Sequence, residues 1–412
     1  MALSPAPVLP LDQIAGREGF AALIAALGGA EQTRLVGGVV RDTLLGLDPA
    51  DIDLATQLLP DIVLDRLRDA GIRAVPTGLA HGTITAILPD GPIEVTTLRR
   101  DVTTDGRHAV VAFTDAWEED GARRDFTMNA LYADPETGAV IDAFGGLADL
   151  AAGRVRFIGD PYRRIAEDHL RILRFFRFHA RFGTADQSRI DADGLAACAA
   201  RANDLMALSR ERIAAELLKL LVARHAVPVI ALMIDAGIFR AVLPEITDAT
   251  VLATLAMREA AAGVAPDAIR RLAALLPAAA AEPVGARLKL SNADRKRLVA
   301  ATQGPGDADA RALAYRVGTA SAIDRLLLAG CAIADITDWT PPVLPIGGGA
   351  LVQRGLRKGP EVARVLRAIE DRWIAGGFPD AARVDQFADD AVAAALAATI
   401  IDSASSASSG RA

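Results

Sequence analysis

Apolar positions along this chain follow two rhythms. In the first third, short apolar runs stand between glycine and proline breaks. Beyond about Asp160 apolar residues return every three or four positions, the period of an amphipathic helix. The first rhythm predicts alternating short helices and strands. Glu18–Leu27 reads as a helix ended by Gly28 and Gly29, and Leu35-Val36 as a strand running into Gly37 and Gly38. A helical run closed by Gly46 follows, then a second strand carrying Asp51 and Asp53. Pro60 and Asp61 open an amphipathic helix stopped by Gly71, and Ile72–Val75 reads as a strand. Thr83–Leu88 and Ile93–Leu98 flank a Pro89–Pro92 turn as a hairpin. Arg99–Asp120 is charged, with few periodic apolar positions, and is expected to be a long functional or disordered loop. A Gly-Gly turn within Asp142–Asp149 closes the sheet region.

The second rhythm predicts helices. One is expected to open at Pro161 and to run through Glu167, Asp168 and Arg171, with Ile165, Leu170, Leu173, Phe176 and Ala180 buried. Ser209 is the expected N-cap of another, and Gly359-Pro360 starts a third with Val362, Val365, Leu366, Ile369 and Trp373 on one face. The Ser-rich segment 402–412 is expected to be disordered. The expected fold class is therefore an α+β head with a mixed sheet, followed by an all-α neck, body and tail.

Composition narrows this picture. A chain of 412 residues exceeds one core, so two or more domains are expected. No apolar run is long enough for a membrane span, and the proline-bearing N-terminus does not read as a signal peptide. Cys198 and Cys331 lack metal-ligand spacing and are expected to be buried free thiols, which fits a reducing cytoplasm. The net charge of −7 argues against a nucleic-acid partner on whole-chain grounds. Locally, Arg154, Arg156, Arg163, Arg164, Arg171, Arg174, Arg177 and Arg181 make a basic arm suited to a phosphate backbone. The i, i+3, i+6 stripe of Arg171, Arg174 and Arg177 needs an anion or many carboxylates.

The chemistry concentrates near residue 50. Asp51 and Asp53 project from one face of a strand, which is costly without a cation between them. Gly37 and Gly38 let backbone N–H groups approach a phosphate at a helix start, with Arg41 nearby. Together these residues describe a metal–nucleotide site. Glu94 is either a third carboxylate on the same polar face or a solvent-facing strand residue.

Seven segments, in order and spacing, resemble one family. They are L-V-G-G-V-V-R-D-T-L-L-G (35–46), D-I-D-L-A-T (51–56), P-T-G-L-A-H-G-T (76–83), R-R-D-F-T-M-N-A-L (123–131), D-A-F-G-G-L-A-D-L (142–150), E-D-H-L-R-I-L-R-F-F-R-F (167–178) and L-S-R-E-R-I (208–213). The family is the class II tRNA nucleotidyltransferases, that is, CCA-adding enzymes and their relatives the bacterial poly(A) polymerases. The resemblance implies that Asp51 and Asp53 hold two Mg²⁺ ions; Glu94 is carried beside them as a candidate third catalytic carboxylate from the strand-face reading alone. It implies nucleotide contacts at Gly37, Gly38, Arg41, Arg124, Asp125 and Asn129. It also implies base selection without a template at Glu167, Asp168 and Arg171, with Arg174 as a phosphate or scaffold ligand. The spacing suits this: Asp168 can accept from the amino group that cytosine and adenine share, and Arg171 can donate to the adjacent ring acceptor. Glu167 would orient Arg171. His169 departs from the family's usual proline.

The implied substrates are CTP and ATP, and the implied partner is tRNA, held at its acceptor stem and elbow. No membrane and no obligate protein partner are expected. A G-R-R-F-like segment typical of the poly(A) polymerases is missing at Thr77–Thr83, and Arg99–Asp120 has full length, so CCA addition leads. The alternatives are a poly(A) polymerase, an A-adding enzyme and, from another class, a non-catalytic RNA-binding protein. The expected divisions are a catalytic head (1–150), a neck that reads the base (151–222) and a tRNA-binding body and tail (223–401).

Overall fold

The structure, a computed structural model, describes residues 7–49, 51–104, 109–184, 186, 189–306 and 309–409. It divides into two compact units. One comprises Met1–Leu252, Pro266–Leu275 and Pro283–Ser291; the other comprises Ala253–Ala265, Leu276–Glu282 and Asn292–Ala412. The expected head and neck segments both fall in the first unit.

That unit is built on a mixed sheet. After helix α1 (Phe20–Ala26), strand β1 (Thr33–Val36) leads through Gly37 into α2 (Gly38–Leu44). Strand β2 (Asp53–Thr56), α3 (Pro60–Asp69), β3 (Arg73–Gly78), β4 (Thr83–Leu88) and β5 (Gly91–Thr97) follow. Next come β6 (Arg99–Thr104), β7 (Ala109–Phe113), α4 (Trp117–Ala122), β8 (Leu131–Ala133), β9 (Val140–Asp142) and α5 (Gly146–Ala151). Seven strands form one sheet in the order β3-β4-β5-β2-β1-β8-β9. Its one parallel pair, β2 with β5, puts Asp53 opposite Glu94. A parallel pair requires a crossover, here supplied by α3 and the β3–β4 pair.

Burial follows the alternation in the sequence. Leu35, Leu54, Ile84, Ile93 and Val95 are fully buried, whereas Glu94 between two of them is exposed. Val39 and Val40 turn α2 onto the sheet, and Gly46, at φ +68°, ends its turn in a conformation that favours glycine.

Several expectations are corrected. Arg99–Asp120 is ordered: β6 and β7 pair as a separate antiparallel hairpin and α4 follows, with 105–108 outside the described residues. Its valines, threonines and phenylalanine favour strands, and the interspersed charges masked their period. Asp51 precedes β2 and does not belong to it. The helix expected through Glu167–Arg171 is two helices, α6 (Pro161–Glu167) and α7 (Arg171–Phe182). Asp168 between them is extended (φ −152°, ψ 107°), and its Oδ1 accepts the Leu170 N–H at 3.0 Å. A short acidic side chain that captures the N–H two residues on offers the backbone an alternative to helix.

Helix α8 (Arg210–Leu221) starts at Ser209, whose hydroxyl accepts the Arg212 N–H as expected. An aromatic cluster ties the sheet to these helices: Phe126 lies 4.9 Å from Phe157, 5.3 Å from Phe178 and 6.3 Å from Phe175 between ring centroids. Each such fully buried ring contributes roughly 1.5–3 kcal/mol.

The second unit is helical. Helix α9 (Pro360–Ala375) presents Val365, Ile369 and Trp373 to Val384, Phe387, Ala388 and Val392 of α10 (Ala381–Ser409). The Trp373 indole N–H donates to the Pro379 carbonyl at 2.8 Å. Helix α10 continues through the Ser-rich segment to Ser409, where disorder was expected, because neither glycine nor proline interrupts it before Gly410. Residues 410–412 lie outside the described residues. Cys198 is buried but Cys331 is exposed, a further correction. Among the described residues no helix is long and apolar enough to cross a membrane.

Candidate active site

The strand–glycine–helix unit sets the first wall. Gly37 sits at φ 71°, ψ −115°, and a Cβ there would lie 3.2 Å from Arg124 Nη1, so glycine is required. At Gly38 an added Cβ would meet Arg41 at an ordinary 3.8 Å. The chain's own packing therefore leaves that position open.

Across the β2–β5 pair, Asp53 stands among like charges. Burial first, then Glu94 and Asp51, push its carboxyl up to about 6, and Arg124 opposes them. Asp51 is exposed. A carboxylate raised by its acidic neighbours is the donor set that a hard divalent cation relieves, so these residues fit Mg²⁺. Asp51, Asp53 and Glu94 do not close into a three-ligand cage, because no such group of three occurs among the described residues. Glu94 thus acts on Asp53 through its charge and its register position.

The arginines are held from behind. Arg124 Nη2 reaches Asp120 at 3.0 Å and its Nε does so at 3.3 Å. The Tyr132 hydroxyl donates to the same oxygen at 2.7 Å, and Arg123 grips the other oxygen at 2.7 and 2.9 Å. Burial would raise Asp120, yet Arg124 and Arg123 outweigh it and hold its carboxyl at about 2. Arg41, only 6% exposed, bonds Asp42 at 2.8 Å and Asn129, with its guanidinium 4.2 Å over the Phe182 ring. Here it faces inward, toward the neck. Asn129 also donates to Asp125 at 2.8 Å, and Arg174 of α7 bonds the same carboxylate at 2.7 Å. Burial would raise Asp125; Arg174 and Asn129 outweigh it and keep the carboxyl below the usual range.

The neck residues meet around the α6–α7 break. Arg171 Nη1 donates to Glu167 at 2.7 Å and to the Arg164 carbonyl at 2.9 Å, while Nη2 reaches the Arg123 carbonyl at 3.0 Å. Asp168 is held by Arg212 Nη2 at 2.9 and 3.1 Å. The basic arm is therefore largely paired within the chain: Arg174 with Asp125, Arg177 with Glu216, Arg181 with Asp42, and Arg154 and Arg156 with Asp149. The stripe that needed an anion or many carboxylates has the carboxylates, so much of the arm serves as internal scaffold.

Residues 33–156 match the Poly A polymerase head domain family, and residues 189–250 match the family described as the probable RNA and SrmB-binding site of polymerase A. The mitochondrial CCA tRNA nucleotidyltransferase 1 of Mus musculus is 34% identical over 371 residues, 84% of each chain. The chain belongs to the CCA tRNA nucleotidyltransferase family. A CCA-adding enzyme from Levilactobacillus brevis is 43% identical over 188 residues, 45% of each chain. Among solved structures, the Bacillus stearothermophilus CCA-adding enzyme in complex with CTP superposes with a TM-score of 0.66 at 26% identity, covering 89% of this chain and 93% of that one.

Family membership gives the geometry a frame, and three residues within it escaped the sequence reading. Asp120 stands three and four residues before Arg123 and Arg124, a helical pairing distance that was legible but was lost in the supposed loop. Arg212 lies in the L-S-R-E-R-I segment, and its local acids, Glu211 and Glu216, pair elsewhere while it reaches back to Asp168. Tyr132 looks like an ordinary strand aromatic until its hydroxyl is located.

Proposed function

We infer that this chain is a nucleotidyltransferase that adds C, C and A to the 3′ end of tRNA, using CTP and ATP and releasing pyrophosphate. The observation that carries this reading is the half-buried Asp53, which stands opposite Glu94 and close to Asp51 on the strand that follows the Gly37–Gly38 turn, with its carboxyl raised by burial and by those two acids. Asp51 and Asp53 would hold Mg²⁺, which when bound supplies a lower pKa for the RNA 3′-hydroxyl and neutralises charge at the α-phosphate. The 3′-oxygen bonds to the α-phosphorus as the bond to pyrophosphate breaks. Gly37 and Gly38 admit the triphosphate closely to the backbone, with Arg124 as the cationic contact and Asp125 and Asn129 flanking it; Arg41 joins them only by turning from its inward contacts with Asp42 and Asn129.

Base selection falls to the neck. Asp168 and Arg171 read the cytosine or adenine edge, and the Glu167 contact fixes the Arg171 fork. Arg174 acts as scaffold through Asp125. Helices beyond residue 222 take the acceptor stem and elbow of tRNA by shape and phosphate contacts. The two uncrosslinked cysteines suit a reducing compartment, and we place the activity in the cytoplasm.

The test is incubation with tRNA lacking its 3′ end, supplied with CTP and ATP alone and together, followed by sizing of the products. The expected result is two additions with CTP alone and three with both, then arrest. A growing A tract would point to a poly(A) polymerase, and no incorporation to a binding protein.

A further inference from the structure

Asp120 holds more donors than any ordinary surface carboxylate. Its side chain is 1% exposed, and its two oxygens receive the Arg123 and Arg124 guanidiniums, the Tyr132 hydroxyl and the Arg99 backbone N–H at 3.3 Å. Four lone-pair sites are thereby saturated by convergent donors. On Arg124 the consequence is directional. Nε and Nη2 are committed to Asp120, which leaves Nη1 turned toward Gly37, where its contact is the Asn129 carbonyl at 3.5 Å. That is a long, weak bond, open to replacement by a better acceptor. Tyr132 is fixed in turn by β8 and by an edge-on contact with Trp117, ring centroids 5.4 Å apart. The acceptor, on helix α4, is therefore tied to the sheet through Tyr132 and is restrained from following Arg124 if the arginine swings.

We propose that Asp120, braced by Tyr132, is a positioning residue for nucleotide transfer. It clamps the inner edge of the Arg124 guanidinium so that Nη1 projects over the Gly37 turn as a prealigned donor for the incoming triphosphate. The proposal rests on the reading of Arg124 as a triphosphate contact. Asp120 itself touches no substrate. An arginine held this way loses little conformational freedom on binding an anion, so loosening the clamp weakens phosphate binding and leaves base choice to the neck.

The experiment compares wild type with Asp120→Asn, Tyr132→Phe, Arg124→Ala and the Asp120→Asn/Arg124→Ala double variant. It measures kcat and KM for CTP and ATP on tRNA lacking its 3′ end, and inhibition by inorganic pyrophosphate, a probe of the phosphate subsite alone. Asp120→Asn is expected to raise both KM values and the pyrophosphate inhibition constant about tenfold, the scale of one charge-assisted contact. The preference for CTP over UTP should stay within about threefold. Tyr132→Phe should show the same pattern at about threefold, and the double variant should be no worse than Arg124→Ala. A structural role alone would lower the unfolding midpoint and active fraction while KM and pyrophosphate inhibition stay put, and losses would multiply in the double variant. Either result overturns the proposal. Tyr132→Phe, a single hydroxyl removed from a packed ring, decides the matter if Asp120→Asn does not fold. Should Arg124→Ala leave KM unchanged, the reading of Arg124 fails; an elevated KM in Asp120→Asn alongside it would then overturn positioning through Arg124 separately.

Discussion

The head and the neck present opposite charge economies. Around Asp53 three acids crowd together with Arg124 as the opposing cation, and the carboxyl retains its proton to about pH 6. Around Asp168 each charge has a partner: Glu167 with Arg171, Asp168 with Arg212, Arg174 with Asp125. The first cluster keeps like charges together, a strain that a bound cation would relieve. The second is satisfied as it stands, so a base read there, as proposed, would compete with contacts already made. A site that does chemistry through a metal keeps an excess charge; a site that discriminates starts from a balanced hydrogen-bond set and gains only from a ligand that reproduces it.

The largest expected effect lies at the head. Asp53→Ala should cut incorporation by at least about a thousandfold in a quench-flow or gel assay while far-UV circular dichroism is unchanged. The accompanying stability change has a definite sign. The folded carboxyl, at about 6, lies above its unfolded value of 3.8. Its contribution is therefore favourable at low pH and is lost as pH rises through that window. Above pH 6 the metal-free protein carries a penalty on the order of 2 kcal/mol. Asp53→Asn should raise the thermal midpoint of metal-free protein at pH 7.5, and Mg²⁺ should stabilise wild type far more than the variant. For turnover, the acid limb should centre near pH 6 at low Mg²⁺ and move to lower pH as Mg²⁺ rises.

Next in size is the junction of the two regions. Arg174→Ala leaves Asp125 buried against Asn129 without its cation, and should cost about 2–4 kcal/mol in urea unfolding, with Arg174→Lys recovering only part. The smallest expected effect is at Gly38. Packing leaves room for a methyl group there, so Gly38→Ala should hold or raise the thermal midpoint by an amount worth up to about 1 kcal/mol, yet raise KM for CTP several-fold. A lowered midpoint with unchanged KM would make Gly38 structural.

Much of the head was legible because its elements are punctuated. Gly37, Gly46, Pro60, Gly71 and the Pro89–Pro92 turn bound runs whose alternation is clear, and the sheet neighbours Asp53 and Glu94 share the face that their apolar flanks imply. What stayed hidden is where side chains decide backbone conformation or partner choice. The period of Ile165, Leu170 and Leu173 continues through the α6–α7 break, so nothing apolar marks it; the break is made by the Asp168 carboxylate itself. Long-range pairings such as Arg174–Asp125 and Arg212–Asp168 join residues 49 and 44 positions apart, and charge counting along the chain cannot assign them. The basic arm consequently read as a nucleic-acid surface, whereas much of it is internal scaffold.

The central claim is that the head performs transfer while the neck chooses the nucleotide. The most direct measurement is single-turnover incorporation of each of the four nucleoside triphosphates by wild type and Asp168→Ala on tRNA lacking its 3′ end. The account predicts that Asp168→Ala keeps transfer within about tenfold of wild type at saturating CTP while discrimination against UTP and GTP falls by one to two orders of magnitude. Discrimination unchanged, or transfer of all four nucleotides lost together, would contradict it.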